Sequence, residues 1–414
     1  VTVQIRLIEP DELPAWGRSV GVPFLRPVSA DSAEEADRWE PPPTGRAWAA
    51  DDGGHFVGNC CTYPRRVGLP AGPGQECPQV GFAAVTAVGV HPTHRRRGLL
   101  GGLMRAMLDD ARRRGECLAG LIASEGAIYG RFGFGIATLA ATRALRRADS
   151  SFLHPAPPAD IRLLSPTEAA STLPDLYAAA ASRQPGQVDR PEAVWRINFA
   201  DWPDRRRGRS ANFYAATDGG YVQYRVEEDH AADAVRLHVR DLVAVSADVE
   251  AALWRFVLDI DLVDEVVASP RPPVDPLTYR LADPRRLRTT GVSDFLWLRV
   301  LDPAAALTAR GYRSAGHLVL EVDPPASPSD VADPAAGRWC LDADVDGSTC
   351  RPASRAESAD LRLGVADLAT LLTGAAPASV LAAAGRLGEQ TPGALDVADR
   401  LFWSRPAPFS STGF

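Results

Sequence analysis

The sequence predicts α/β architecture over its first two blocks and an α+β fold over the last. Three observations predict it. A strand, loop, helix and parallel-strand pattern occurs in the first block, and the same layout recurs in the second. Beyond about residue 290, strand-like stretches separated by Pro, Asp and Gly turns come first and helix-like stretches follow. Two joins divide the chain: the proline-rich Ser150–Asp160 and the run Leu281–Thr290. The expected blocks are 1–150, 151–288 and 289–414.

In the first block Phe82–Val90 is apolar and β-branched, and Pro92 ends it. Leu100, Leu103, Met104, Met107, Leu108 and Ala111 then fall on one helical face, which Gly115 closes. Leu118–Ala123 is the second strand. In the second block Val235–Val245 predicts a strand, Ala247–Leu258 a helix and Val263–Ala268 a strand, so the unit is read as duplicated. The third block gives strands at Phe295–Val300, His317–Val322 and Arg338–Val345. Its helices are expected at Leu361–Leu372 and Ala378–Arg386.

All 45 basic residues are Arg, and the chain has no Lys. Schiff-base, P-loop and kinase chemistries that need a protein lysine are therefore excluded. With 414 residues, 45% hydrophobic and 23% charged, the chain is expected to be a soluble globular protein of roughly two to four domains. A net charge of −7 argues against nucleic acid or an anionic membrane as partner. No signal pattern or membrane-length apolar run is present. The six cysteines show no C-x-x-C spacing, so no metal site is expected, and a reducing cytoplasm is the expected location.

Only the first block carries a basic excess, with 18 Arg against 16 acids. Its most informative segment runs from Val88 through Gly89 and Val90 to His91-Pro-Thr-His-Arg95-Arg96-Arg97-Gly98-Leu99-Leu100-Gly101. Three arginines and a glycine stand between a strand end and a helix start. Unpaired N–H groups and the helix dipole favour an anion there, and Gly98 admits close backbone approach.

Arg95-x-x-Gly98 after a strand resembles the acetyl-CoA loop of GNAT acetyltransferases. With SEGAIYGRFGFG at Ser124–Gly135, the segment HPTHRRRGLL resembles the Eis (enhanced intracellular survival) N-acetyltransferases, and the resemblance extends over the whole chain. Leu100 stands where the general GNAT pattern has Gly or Ala, a departure that Eis-type proteins share. The resemblance implies tandem GNAT-like domains followed by a sterol-carrier-protein-like α+β domain, and a homohexamer. The second copy has Ser246-Ala-Asp-Val-Glu250 at its helix start, whose acids would repel a pyrophosphate, so one acetyl-CoA site per chain is expected. Val88, Gly89 and Val90 would meet the pantetheine as an added strand. Arg95–Gly101 would cradle the pyrophosphate, and Ser124 and Glu125 would lie beside the thiol arm.

By the same resemblance Tyr129 is the general acid and the α-carboxylate of Phe414 the general base. A phenol, of ordinary pKa about 10, suits donation to a thiolate. A carboxylate of ordinary pKa about 3.5 is a weak base unless it is desolvated or works through water. His91 and His94 flank the loop as alternative bases, or as helix caps. The acceptor is expected to be a small-molecule primary amine, with aminoglycoside-like polyamines favoured. Two features depart from that acceptor class. Gly413 stands where relatives carry an acid, and Val22–Ser29 offers Arg26 and no acid. The middle block, whose residues 151–285 are net −6, is expected to supply the acids instead. A protein-lysine acetyltransferase and a lipid or small-molecule carrier with a vestigial GNAT half are the other readings.

Overall fold

The computed structural model describes residues 3–25, 38–231, 233–326, 333–354 and 356–414. Arg26 and the rest of 26–29 lie outside them. The chain forms two compact units, one of residues 1–137, 296–405 and 414, the other of residues 138–295 and 406–413.

The first unit contains a seven-stranded sheet in the spatial order Gln4–Leu7, Ala47–Asp52, His55–Gly68, Gln79–Val90, Leu118–Ile122, Leu296–Val300 and Gly135–Ile136. The expected parallel pair is present, with Phe82 opposite Leu118 and Ala84 opposite Gly120. Helix Leu99–Arg113 crosses between them, and Leu103, Met104, Met107 and Leu108 are buried against the sheet. That is the face the 3.6-residue spacing assigns. A five-stranded sheet in the same unit has Gly316–Asp323 at its centre, antiparallel to Gly337–Asp344 and parallel to Leu361–Gly364. Leu361 therefore opens a strand, not the expected helix: Leu361 and Leu363 are buried on one face while Arg362 is exposed. The helix begins at Val365 and runs to Thr373.

The second unit repeats the layout. Ala234–Ala244 pairs parallel with Glu265–Arg271, and helix Ala247–Asp259 joins them, burying Leu253, Trp254, Val257 and Leu258. Its sheet runs Arg288–Asp294, Leu139–Arg146, Glu265–Arg271, Ala234–Ala244, Gly220–Asp229, Phe213–Thr217 and Arg162–Leu164. Sheet membership does not follow the partition at 150 and 288. Leu139–Arg146 pairs with Glu265–Arg271 and Arg288–Asp294, whereas Leu296–Val300 pairs with Leu118–Ile122 and Gly135–Ile136. Backbone pairing of strands remote in sequence decides both cases, and local pattern does not encode it. No helix among the described residues is long and apolar enough to cross a membrane.

Candidate acetyl-transfer site

The site begins where two parallel strands part. Gln79–Val90 and Leu118–Ile122 are paired at only three positions, Phe82 to Ala84 against Leu118 to Gly120. Beyond Ala84 that side of the strand faces no other strand among the described residues. Opposite, on the His55–Gly68 side, Asn59 pairs with Gly89 and Cys61 with Thr86, so Ala87 and Val88 form a bulge and Ala87 takes φ +53°. Bulges re-aim a strand beside functional sites. Val88 and Val90 thus lie on an edge whose main chain can accept an extended ligand. Gly89 has a separate role, because a Cβ there would lie 2.7 Å from Pro23.

The loop after this edge ends at Gly98, the N-cap of helix Leu99–Arg113, with φ +76° and no side-chain cap. A Cβ at Gly98 would meet nothing, so glycine serves the left-handed conformation there and not the packing. Arg96 also has a positive φ, +63°. Arg95, Arg96 and Arg97 are exposed, and none of them has a hydrogen bond or ion pair among the described residues. Three unpaired guanidiniums beside uncapped N–H groups have the chemistry to receive an anion. Within it the Leu99 side chain belongs to the core, so only its backbone and those of Leu100 and Gly101 are available.

His91 and His94 are tied together. His91 Nδ1 and His94 Nδ1 each lie 2.7 Å from Thr93 Oγ1, and His94 Nε2 lies 3.1 Å from Asp52. His91 caps the short turn Pro92–His94, and does not cap the long helix.

Ser124 and Glu125 are exposed just after the second strand, and Tyr129 ends the short helix that follows. The Tyr129 ring packs edge-on against Phe134 and is 5% exposed. Burial raises its pKa above the ordinary phenol value, a hydrogen bond with Ser124 offsets part of the rise, and nearby Glu125 adds to it. Its proton is therefore held through neutral pH.

The chain terminus is not frayed. The Phe414 ring meets Phe82 at 5.8 Å, at the paired end of the parting strands. The preceding residues are anchored in the second unit. Arg190 donates to Thr412 Oγ1 at 2.7 Å and Ser411 Oγ at 3.0 Å, Gln187 bonds Ser411, and Tyr177 bonds Thr412. Nothing in the sequence pattern around Arg190 signals this, since its partners lie more than 200 residues away.

Helix Ala247–Asp259 has the opposite start. Ser246 accepts from the Val249 N–H, and Glu250 is ion-paired to buried Arg271. A cavity in the second unit is lined by four arginines and two aspartates. Elsewhere His317, Cys340 and Asp342 bring possible ligand atoms within 4.8 Å of one another, with His317 and Asp342 already bonded at 2.7 Å. No C-x-x-C spacing marks that group. All six cysteines are free thiols.

Parting parallel strands, a bulged edge and a basic loop at a helix start define a GNAT acyltransferase fold, and comparison with known proteins gives the same class. Models of the acetyltransferase (GNAT) domain match residues 4–137 and 186–300, and a sterol carrier protein domain model matches 303–411. N-acetyltransferase Eis of Mycobacterium tuberculosis is 36% identical over 314 residues, 74% of each chain. An uncharacterized N-acetyltransferase of Streptomyces griseus is 34% identical over 99% of both chains. The crystal structure of Eis1 from Mycobacterium abscessus superposes with a TM-score of 0.85 at 33% identity, covering 99% of this chain and 100% of that one. The chain belongs to the Eis family of GNAT N-acetyltransferases.

Proposed function

We propose that the chain transfers acetyl from acetyl-CoA to a primary amine of a small acceptor, through one site in block 1–150. The observation that carries this is the uncapped start of helix Leu99–Arg113 with unpartnered Arg95–Arg97 beside a bare strand edge. When bound, acetyl-CoA supplies the thioester that the amine attacks. Val88–Val90 hold its extended arm by main-chain groups, Arg95–Gly101 hold the pyrophosphate, and Ser124 and Glu125 flank the thiol end. Tyr129, neutral because it is buried, gives a proton to the departing sulfur. The carboxylate of Phe414, whose ring packs on Phe82, takes the proton from the acceptor ammonium, directly or through water. Block 151–288 is the copy without a donor site, and block 289–414 supplies the terminal base.

Aminoglycoside-like polyamines are the first acceptors to try, on the strength of the family. Thiol release from acetyl-CoA with kanamycin or tobramycin tests this. No release with any amine sinks the transferase reading, and release only with lysine peptides moves the acceptor to proteins. The family also supports a homohexamer, which light scattering measures. The sequence reading places the chain in the cytoplasm.

A further inference from the structure

The second unit contains a cavity of about 310 Å³ between helix Glu192–Ala200, the strands Gly220–Asp229 and Ala234–Ala244, and the tail Ser411–Gly413. Its charged lining is Arg190, Arg205, Arg225, Arg240, Asp201 and Asp241. Two of these arginines are matched internally. Arg190 donates to Asp241 Oδ2 at 2.6 Å, and Arg225 is paired with Asp201. Arg240 has no hydrogen bond or ion pair among the described residues. Its pKa is lowered, first by desolvation and then by Arg225, although solvent still reaches part of the side chain.

A β-bulge places Arg240. Gln223 pairs with Asp241 and Tyr224 with Val239, so Arg240 is the extra residue between them. In a regular strand neighbours 240 and 241 would point to opposite faces; the bulge lets both line one cavity. Asp241 is 6% exposed. Its Oδ2 accepts from Arg190 and from Tyr221 at 2.6 Å, while Oδ1 is buried with no donor. A buried carboxylate oxygen left unpaired costs about 1–3 kcal/mol.

The cavity thus offers a cation that has Asp201 and Asp241 near it but no hydrogen-bonded anion and, one residue away, an acceptor that lacks a donor. A simple anion satisfies only the first, and a polyamine only the second while meeting arginine repulsion. We propose that this cavity binds a small zwitterion, an amino acid or dipeptide, with its carboxylate on Arg240 and its ammonium at the Asp241 carboxylate. Binding here is an equilibrium property of the second unit, read without any transfer of acetyl.

Calorimetric titration of the full chain without acetyl-CoA tests it, with L-alanyl-L-alanine and free L-alanine as probes and cadaverine and acetate as controls. At least one zwitterion is expected to bind saturably and more tightly than either control. Arg240→Gln, at an exposed and unpaired side chain, is expected to weaken that binding by roughly tenfold or more, the loss of one charge-assisted hydrogen bond, with an unchanged melting temperature. Cadaverine or acetate binding as tightly as the zwitterions, no saturation with either zwitterion at millimolar concentration, or unchanged affinity in Arg240→Gln would each overturn the proposal. Because acetyl-CoA is absent from the cell, failure here leaves the thiol-release result untouched, and the reverse also holds.

Discussion

The two α/β copies share strand, helix and parallel strand, yet their helix starts are opposites. At Gly98 the first copy leaves its N–H groups uncapped and sets three unpaired arginines before them. At Ser246 the second copy satisfies its own helix with a side-chain cap, and its first-turn Glu250 neutralises buried Arg271. Both copies keep a bulge in the strand that precedes the helix, at Ala87–Val88 and at Arg240. In the first, the bulged strand has a bare main-chain edge on its other side. In the second, it presents a side chain, and the same unit anchors residues 406–413 of the tail. A duplicated fold can therefore keep its backbone devices while side chains at a few positions change what those devices hold.

The largest test of this division concerns the last residue. Deleting Phe414, or extending the chain beyond it, should lower turnover by roughly 10²–10⁴-fold, the usual worth of a general base. Acetyl-CoA binding, read by calorimetry, should persist. Retained turnover would remove the terminal carboxylate from the mechanism.

Tyr129→Phe should lower kcat by roughly 10²-fold with little change in KM for acetyl-CoA. The pH profile sharpens the same point. The folded pKa is raised, so the stability that the neutral buried phenol contributes is complete below its ordinary value near 10 and is lost as pH rises through the raised one. No alkaline limb belonging to Tyr129 should appear below about pH 10; a limb near pH 8 would assign the acid to another group.

Replacing Arg95, Arg96 and Arg97 together by Ala should raise KM for acetyl-CoA by roughly 10–10²-fold, since each exposed guanidinium contributes modestly to a phosphate. The melting temperature should barely change, because none of the three is paired among the described residues. The smallest effect belongs to the second copy. Ser246→Ala should cost about 1 kcal/mol in a denaturant titration and leave KM for acetyl-CoA unchanged. A change in KM there would mean that the second helix start also meets the donor.

Much of the fold was legible because its signals are local. The apolar face Leu103, Met104, Met107, Leu108, the stop at Gly115 and the flanking strands follow from periodicity and turn chemistry. The arginine loop before Gly98 was legible for the same reason, being one continuous segment. Leu361–Gly364 was not: alternating Leu and Arg over four residues fits a strand or a helix start, and pairing with Gly316–Asp323 decides it. The arginine-lined cavity was equally hidden. Block 151–288 is net acidic, but the average says nothing about which charges turn inward.

By itself the sequence determined the repeated α/β unit, the order of the three blocks, the absence of lysine chemistry and an arginine- and glycine-bearing loop at a helix start. Each is carried by composition or by neighbours within a few turns of chain. Tertiary structure alone decided that Leu139–Arg146 and Leu296–Val300 join sheets across the block boundaries, that residues before Phe414 are held by Arg190 and Tyr177, and that Arg240 shares a cavity with the bare oxygen of Asp241. These depend on partners far apart in sequence, and on a bulge whose extra residue is defined only by the strand beside it.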